Sequence, residues 1–227
     1  MISSEFWLYI FIGLILLNFI FSSVLEYVND KNWNDEIPDL LKDYYDKKKY
    51  STAKDYKKAR GRISLISSSL SITITLIILI TGFYGYVSDY IYTIFSSPFL
   101  HSAIFFLFFY FLNMLVSIPI NYYSTFIIEE KFGFNKTTKK TFLADILKGT
   151  MMSILIGGLL LAVAILILNY FSEGFWFWLW LSLSIFTVFI SMFYTSLIVP
   201  IFNKLIHWKM DHSKQKFSNI QIKSDIH

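Results

Sequence analysis

The 227-residue chain has no cysteine. That excludes a disulfide scaffold, a thiol nucleophile and a Cys-ligated zinc or iron–sulfur site. Charge is also scarce: 16% of residues are Asp, Glu, Lys or Arg, against roughly 25% in soluble domains. What charge there is does not reach the middle of the long apolar runs, which argues against a proton pump, a voltage sensor or a transporter working through buried charge.

The rest of the chain is oily. Hydrophobic residues make up 55% and aromatics 20%, with a mean hydropathy of +0.53. A water-soluble fold cannot hide that much apolar surface. A membrane-spanning helix needs about 20 apolar residues, and five stretches qualify: Phe6–Leu25, Leu65–Tyr86, Leu100–Ile120, Thr150–Phe171 and Phe175–Val199. They lack the alternation of barrel strands. The predicted fold is therefore an all-α polytopic membrane protein with five transmembrane helices, partnered by the lipid bilayer and not by nucleic acid. The first stretch follows Met1-Ile2-Ser3-Ser4-Glu5, which carries no positive side chain and precedes no clear cleavage site, so it reads as an uncleaved span.

The 20 Lys and Arg are segregated. Ten lie from Lys31 to Arg62, five from Lys131 to Lys148 and five from Lys204 to Lys223. The intervening segments carry acids only, such as Glu5, Asp89 and Glu173. The positive-inside rule predicts an outside N-terminus and a cytosolic C-terminus. Trp176, Trp178 and Trp180 at the start of the fifth span, and Tyr122 and Tyr123 at the end of the third, suit the two interfaces. The outer loops look short and free of chemistry.

In the first inner loop, Ile37, Leu40, Leu41, Tyr44 and Tyr45 follow helical spacing, with Pro38 fit for a first turn. Thr52 with Asp55 predicts a capping box for a second helix, one that carries Tyr56, Lys57, Lys58, Arg60 and Arg62 toward the membrane. Such a segment suits an anionic lipid surface or a docked domain or substrate. In the second inner loop, Glu129 and Glu130 are adjacent acids. On a helix adjacent side chains point about 100° apart, so the two would not face one substrate. Gly133 between Phe132 and Phe134 predicts a turn that folds the rings back, and Asn135 to Thr138 predict a helix cap. Asn18 and Asn113 lie inside spans, where asparagine faces other helices or a wet cavity. Ser153 with Gly157 and Gly158 with Ala162 suit close helix contacts.

These residues resemble a known family. Ile128-Glu129-Glu130-Lys131-Phe132-Gly133-Phe134-Asn135-Lys136-Thr137 is similar to the inner-loop signature of type I CAAX prenyl proteases, which are integral-membrane zinc metallopeptidases. Tyr50-Ser51 with Ala53-Lys54-Asp55-Tyr56 resembles their first-loop motif, and Pro200-Ile201-Phe202-Asn203-Lys204 the segment after their fifth span. The resemblance covers residues 1–205 and implies helices enclosing a chamber, with zinc as cofactor and a prenylated or membrane-associated peptide as substrate of an intact member. The family's zinc motif is His-Glu-x-x-His, two ligands one turn apart with a glutamate to activate water. This sequence has only His101, His207, His212 and His227, and no such motif. The resemblance thus implies the N-terminal membrane portion, without catalytic or metal-binding residues of its own. The rivals are a standalone membrane scaffold or binding protein and a small transporter. Rich Ile, Lys, Asn and Phe usage suggests an AT-rich genome, and in a bacterium the inner membrane.

Residues 206–227 depart from the family, which typically continues with Pro-Leu-Glu-x-Gly. His207 to His212 back-translate to CAY TGG AAR ATG GAY CAY. One base earlier this reads xCA YTG GAA RAT GGA YCA, which admits Pro, Leu, Glu, Asn or Asp, and Gly. The expectation is a frame-shifted, disordered tail; the alternative is a native basic extension.

Overall fold

The computed structural model describes residues 4–33, 36–37, 46–171 and 173–202. Among them every regular element is helical: α1 (Ser4–Lys31), α2 (Lys47–Ile80), α3 (Phe83–Ile94), α4 (Pro98–Tyr123), α5 (Lys139–Tyr170), α6 (Phe175–Phe193) and α7 (Val199–Phe202). Two π-helical segments, Ser124–Glu129 and Tyr194–Ile198, extend α4 and α6. Five helices are long and apolar enough to cross a membrane: Glu5–Lys31, Lys47–Ile80, Pro98–Glu129, Lys139–Tyr170 and Phe175–Ser196.

The helices pack mainly with their neighbours in sequence, α1 on α2, α4 on α5 and α5 on α6. Among the described residues only Ile78, Val87, Ile91, Ile128, Ile167 and Ser124 are buried. Long apolar faces are left uncovered, as expected where lipid replaces water against Leu, Ile and Phe.

The second span differs from its predicted bounds, Leu65–Tyr86. One helix runs from Lys47 to Ile80 and stops at Thr81-Gly82, where Gly82 has φ +66°. Its charged half ends at Arg62, leaving residues 63–80, a rise of about 27 Å, close to the hydrocarbon thickness of about 30 Å. The residues from Phe83 belong to α3, a twelve-residue helix in a loop expected to be plain. It docks on the first half of α4: the Tyr84 ring lies 4.6 Å from the Phe109 ring, tilted against it, and Val87 and Ile91 are buried. His101 places Nε2 3.0 Å from the Ser88 carbonyl.

The predicted capping box at Thr52 and Asp55 is not there. The cap is Asp46, whose carboxylate accepts the Lys49 N–H at 2.7 Å. Thr52 lies inside the helix and donates to the Lys48 carbonyl. Thr73 and Thr75, in the apolar half, likewise return their hydroxyls to the Ser69 and Ser71 carbonyls, so these two O–H groups are satisfied within the helix. The predicted short helix of Ile37, Leu40, Leu41, Tyr44 and Tyr45 lies, apart from Ile37, outside the described residues.

Of the small pairs on α5, the two glycines make no close contact among the described residues. A Cβ added at Gly157 or Gly158 would meet no atom within 4 Å. Asn18 is exposed on α1. Asn113 lines a cavity of about 110 Å³ with Ser71, Thr75 and Tyr84, between α2, α3 and α4.

Candidate functional site

The inner-loop segment is shaped by its own backbone chemistry. The helix that carries Glu129 and Glu130 ends in a Schellman motif. Gly133 takes φ +75°, its N–H donates to the Glu130 carbonyl at 3.0 Å, and the Phe134 N–H donates to the Glu129 carbonyl at 2.9 Å. That pairing needs a left-handed residue at the turn, which glycine adopts without cost. Asn135 then spans the turn: Nδ2 donates to Glu130 Oε2 at 2.8 Å and Oδ1 accepts the Thr137 N–H at 2.7 Å. Thr138 caps α5 by accepting the Thr141 N–H at 3.1 Å. The turn and the cap predicted from Gly133 and Thr138 are both present.

The rings flanking Gly133 fold back as predicted, and what receives them is the first-loop motif. Tyr56 of α2 sits 5.4 Å from the Phe132 ring and 4.7 Å from the Phe134 ring. One turn further along α2, Arg60 Nη1 donates to Ser124 Oγ and lies 3.4 Å from Glu129 Oε1. Ser124 is buried; Glu129 is partly covered. Glu129 and Glu130 point apart, one to Arg60 and the other to Asn135, so they form no acid–base pair. Two stretches more than 60 residues apart in sequence are thus held together by a ring cluster and an ion pair.

The π-helical segment makes the second contact possible. In an α-helix, residues five apart lie about 140° apart. The i to i+5 pattern of a π-helix brings Ser124 and Glu129 onto one side, where both meet Arg60 Nη1. Sequence reasoning found Glu129 but missed Arg60 as its partner and missed Ser124 altogether. A lone serine near a span end carries no signal of its own.

The third motif lies elsewhere at the same end of the bundle. Pro200 and Phe202 are in α7, which packs on α5. Lys148 of α5 places Nζ 5.9 Å from the Phe202 ring. Proline has no N–H to give and its ring collides with the carbonyl four residues back, which accounts for the widened π-turn at Tyr194–Ile198 just before it. Asn203 lies outside the described residues.

Further along, Lys57 lies 3.2 Å from Asp30 of α1 and 4.6 Å over the Trp33 ring. These contacts gather the end of α1, the charged half of α2 and the end of α4 at the Lys/Arg-rich end of the molecule.

A zinc centre does not fit the described residues. The sequence has no His-Glu-x-x-His, and among the described residues no three His, Cys, Asp or Glu gather to hold a metal.

Comparison with known proteins points to the same family. Residues 26–204 match the family model described as CAAX prenyl protease N-terminal, five membrane helices. The Schizosaccharomyces pombe protein named "Probable CAAX prenyl protease 1" is 31% identical over 189 residues, which is 74% of this chain and 38% of that protein. A CAAX prenyl protease 1 homolog of Dictyostelium discoideum is 28% identical, covering 74% of this chain and 41% of its own length. The crystal structure of S. mikatae Ste24p superimposes with a TM-score of 0.79 at 25% identity, over 93% of this chain and 52% of that one. The chain thus spans about half the length, or less, of the relatives it matches. It is an integral membrane protein, and it belongs to the CAAX prenyl protease N-terminal family of five-helix membrane domains.

Proposed function

We propose that this chain is the non-catalytic membrane wall of a CAAX prenyl protease-like zinc metalloendopeptidase, and that it presents surface to a prenylated or membrane-associated peptide. The observation that carries the reading is the joining of two family-like motifs, Tyr56 on α2 with Phe132 and Phe134 after α4, beside an ion pair from Arg60, outside the first motif, to Glu129. The open face of α5 at Gly157 and Gly158 supports it, since small residues in a span invite a helix, here one supplied by the catalytic part. In an intact enzyme zinc supplies the activated water, and its ligands lie in a segment this sequence does not contain.

The Lys/Arg-rich end faces the cytosol in this reading and the N-terminus lies outside. Residues 206–227 are a frame-shifted replacement for the family sequence. The family match ends at residue 204, at the edge of that segment.

The test combines a prenylated CAAX peptide bearing a photo-crosslinker with the full chain in nanodiscs. An adduct that unlabelled peptide competes away, with no cleavage and no bound zinc, is expected. Absence of a competed adduct would remove the substrate-surface role and leave a standalone scaffold. Chelator-sensitive cleavage by the chain alone would overturn the non-catalytic assignment.

A further inference from the structure

At the Lys/Arg-rich end, α1, α2 and the end of α4 border an open cavity of about 430 Å³, within the usual range for small-molecule sites. Its wall on α2 runs through Lys57, Arg60, Ser64 and Ser67, one helical face at three- and four-residue steps. Ile63 and Ile120 line it as well. The cavity therefore sits where the charged half of α2 gives way to the apolar half, the level of lipid head groups.

The charges in and around it do not balance. Lys57 pairs with Asp30 and Arg60 with Glu129. Glu26 of α1 remains. It has no hydrogen-bond or ion-pair partner among the described residues, it is partly covered, and its Oε1 lies 3.0 Å from where a Cβ on Gly61 would stand. Both contacts of Arg60 use Nη1, which leaves its other N–H groups free to donate. A surplus carboxylate beside spare guanidinium donors and serine hydroxyls disfavours a purely anionic guest. It matches a guest that carries an ammonium and a phosphate together.

We propose that this cavity is a binding site for the head group of phosphatidylethanolamine. The ammonium donates to the Glu26 carboxylate, and the phosphate oxygens accept from the spare Arg60 N–H groups and from Ser64 and Ser67. The acyl chains leave across Ile63 and Ile120 into the bilayer. Gly61 keeps the Glu26 carboxylate in place, because a side chain there would push it aside.

The test is native mass spectrometry of the full chain in detergent carrying equal amounts of phosphatidylethanolamine, phosphatidylcholine and phosphatidylglycerol. Choline keeps the phosphate but has no N–H to donate; glycerol has no amine. The ethanolamine lipid should be retained about tenfold over the choline lipid, the scale of one hydrogen bond to a charged group. Glu26→Gln should bring that ratio close to one with an unchanged unfolding temperature, and Gly61→Ala should lower it as well. Equal retention of the three lipids, a preference for the glycerol lipid, or a preference that survives Glu26→Gln would each overturn the site.

Discussion

Arg60 Nη1 lies 3.4 Å from Glu129 Oε1, across 69 residues of sequence, and the same nitrogen donates to the buried Ser124 hydroxyl. The two contacts are unequal. The ion pair is partly wet, with Arg60 48% and Glu129 28% exposed, so it contributes about 0.2–1 kcal/mol. The bond to Ser124 satisfies a buried oxygen from a charged donor, worth about 1.5–3 kcal/mol. Arg60→Ala is therefore expected to destabilise the chain more than Glu129→Gln, and the double variant should cost less than the sum. Thermal unfolding in detergent measures all three. Equal losses for the two single variants would show that Ser124 gains nothing from the guanidinium.

Gly133 is required by conformation, not by space. Its φ is +75°, yet a Cβ added there would meet nothing within 4 Å. Gly133→Ala should cost about 1–2 kcal/mol from the left-handed backbone alone and loosen the packing of Phe132 and Phe134 on Tyr56. Cross-linking between cysteines placed at Tyr56 and Phe134 should fall in that variant. Unchanged cross-linking would mean that the left-handed turn at Gly133 does not position the loop.

All 20 Lys and Arg fall in three segments of the sequence, and the reading above puts those segments in the cytosol. Single cysteines at Ser88 and Ser218 should then label oppositely with an impermeant reagent, Ser88 from outside. Labelling of both from outside intact cells would reverse the assignment.

The parts of this architecture that were legible in the sequence are those set by local chemistry. Gly133 between two phenylalanines and Thr138 before a lysine pair each declare a turn or a cap within a few residues, and the structure has both. The five spans follow from apolar length alone. The break at Gly82 was missed because Phe83, Tyr84 and Tyr86 prolong the hydrophobic stretch past Thr81-Gly82 and Gly85, which are themselves breaker signals. Only docking on Phe109 shows that those residues turn back as α3. The cap at Asp46 was missed because Thr52 and Asp55 imitate a capping box. The meeting of Arg60 with Ser124 and Glu129 depends on a π-turn and on the register of two distant helices, neither of which a local pattern encodes.

The last expectation concerns residues 206–227. If they are read in the wrong frame, they were never selected to pack on the helices, and truncation after Leu205 should leave the unfolding temperature in detergent almost unchanged, since an unpacked end contributes few buried contacts. Protease should remove the tail while the membrane helices survive. At the DNA level, restoring the frame at the Ile206 codon should yield Pro-Leu-Glu-x-Gly and lead downstream to His-Glu-x-x-His. The two arms are independent, because one reads packing and the other reads codons. A stop codon soon after the correction, with no zinc motif beyond it, would count against the frame change. So would a tail whose removal lowers stability markedly, since that requires side chains chosen to fit the helices they touch.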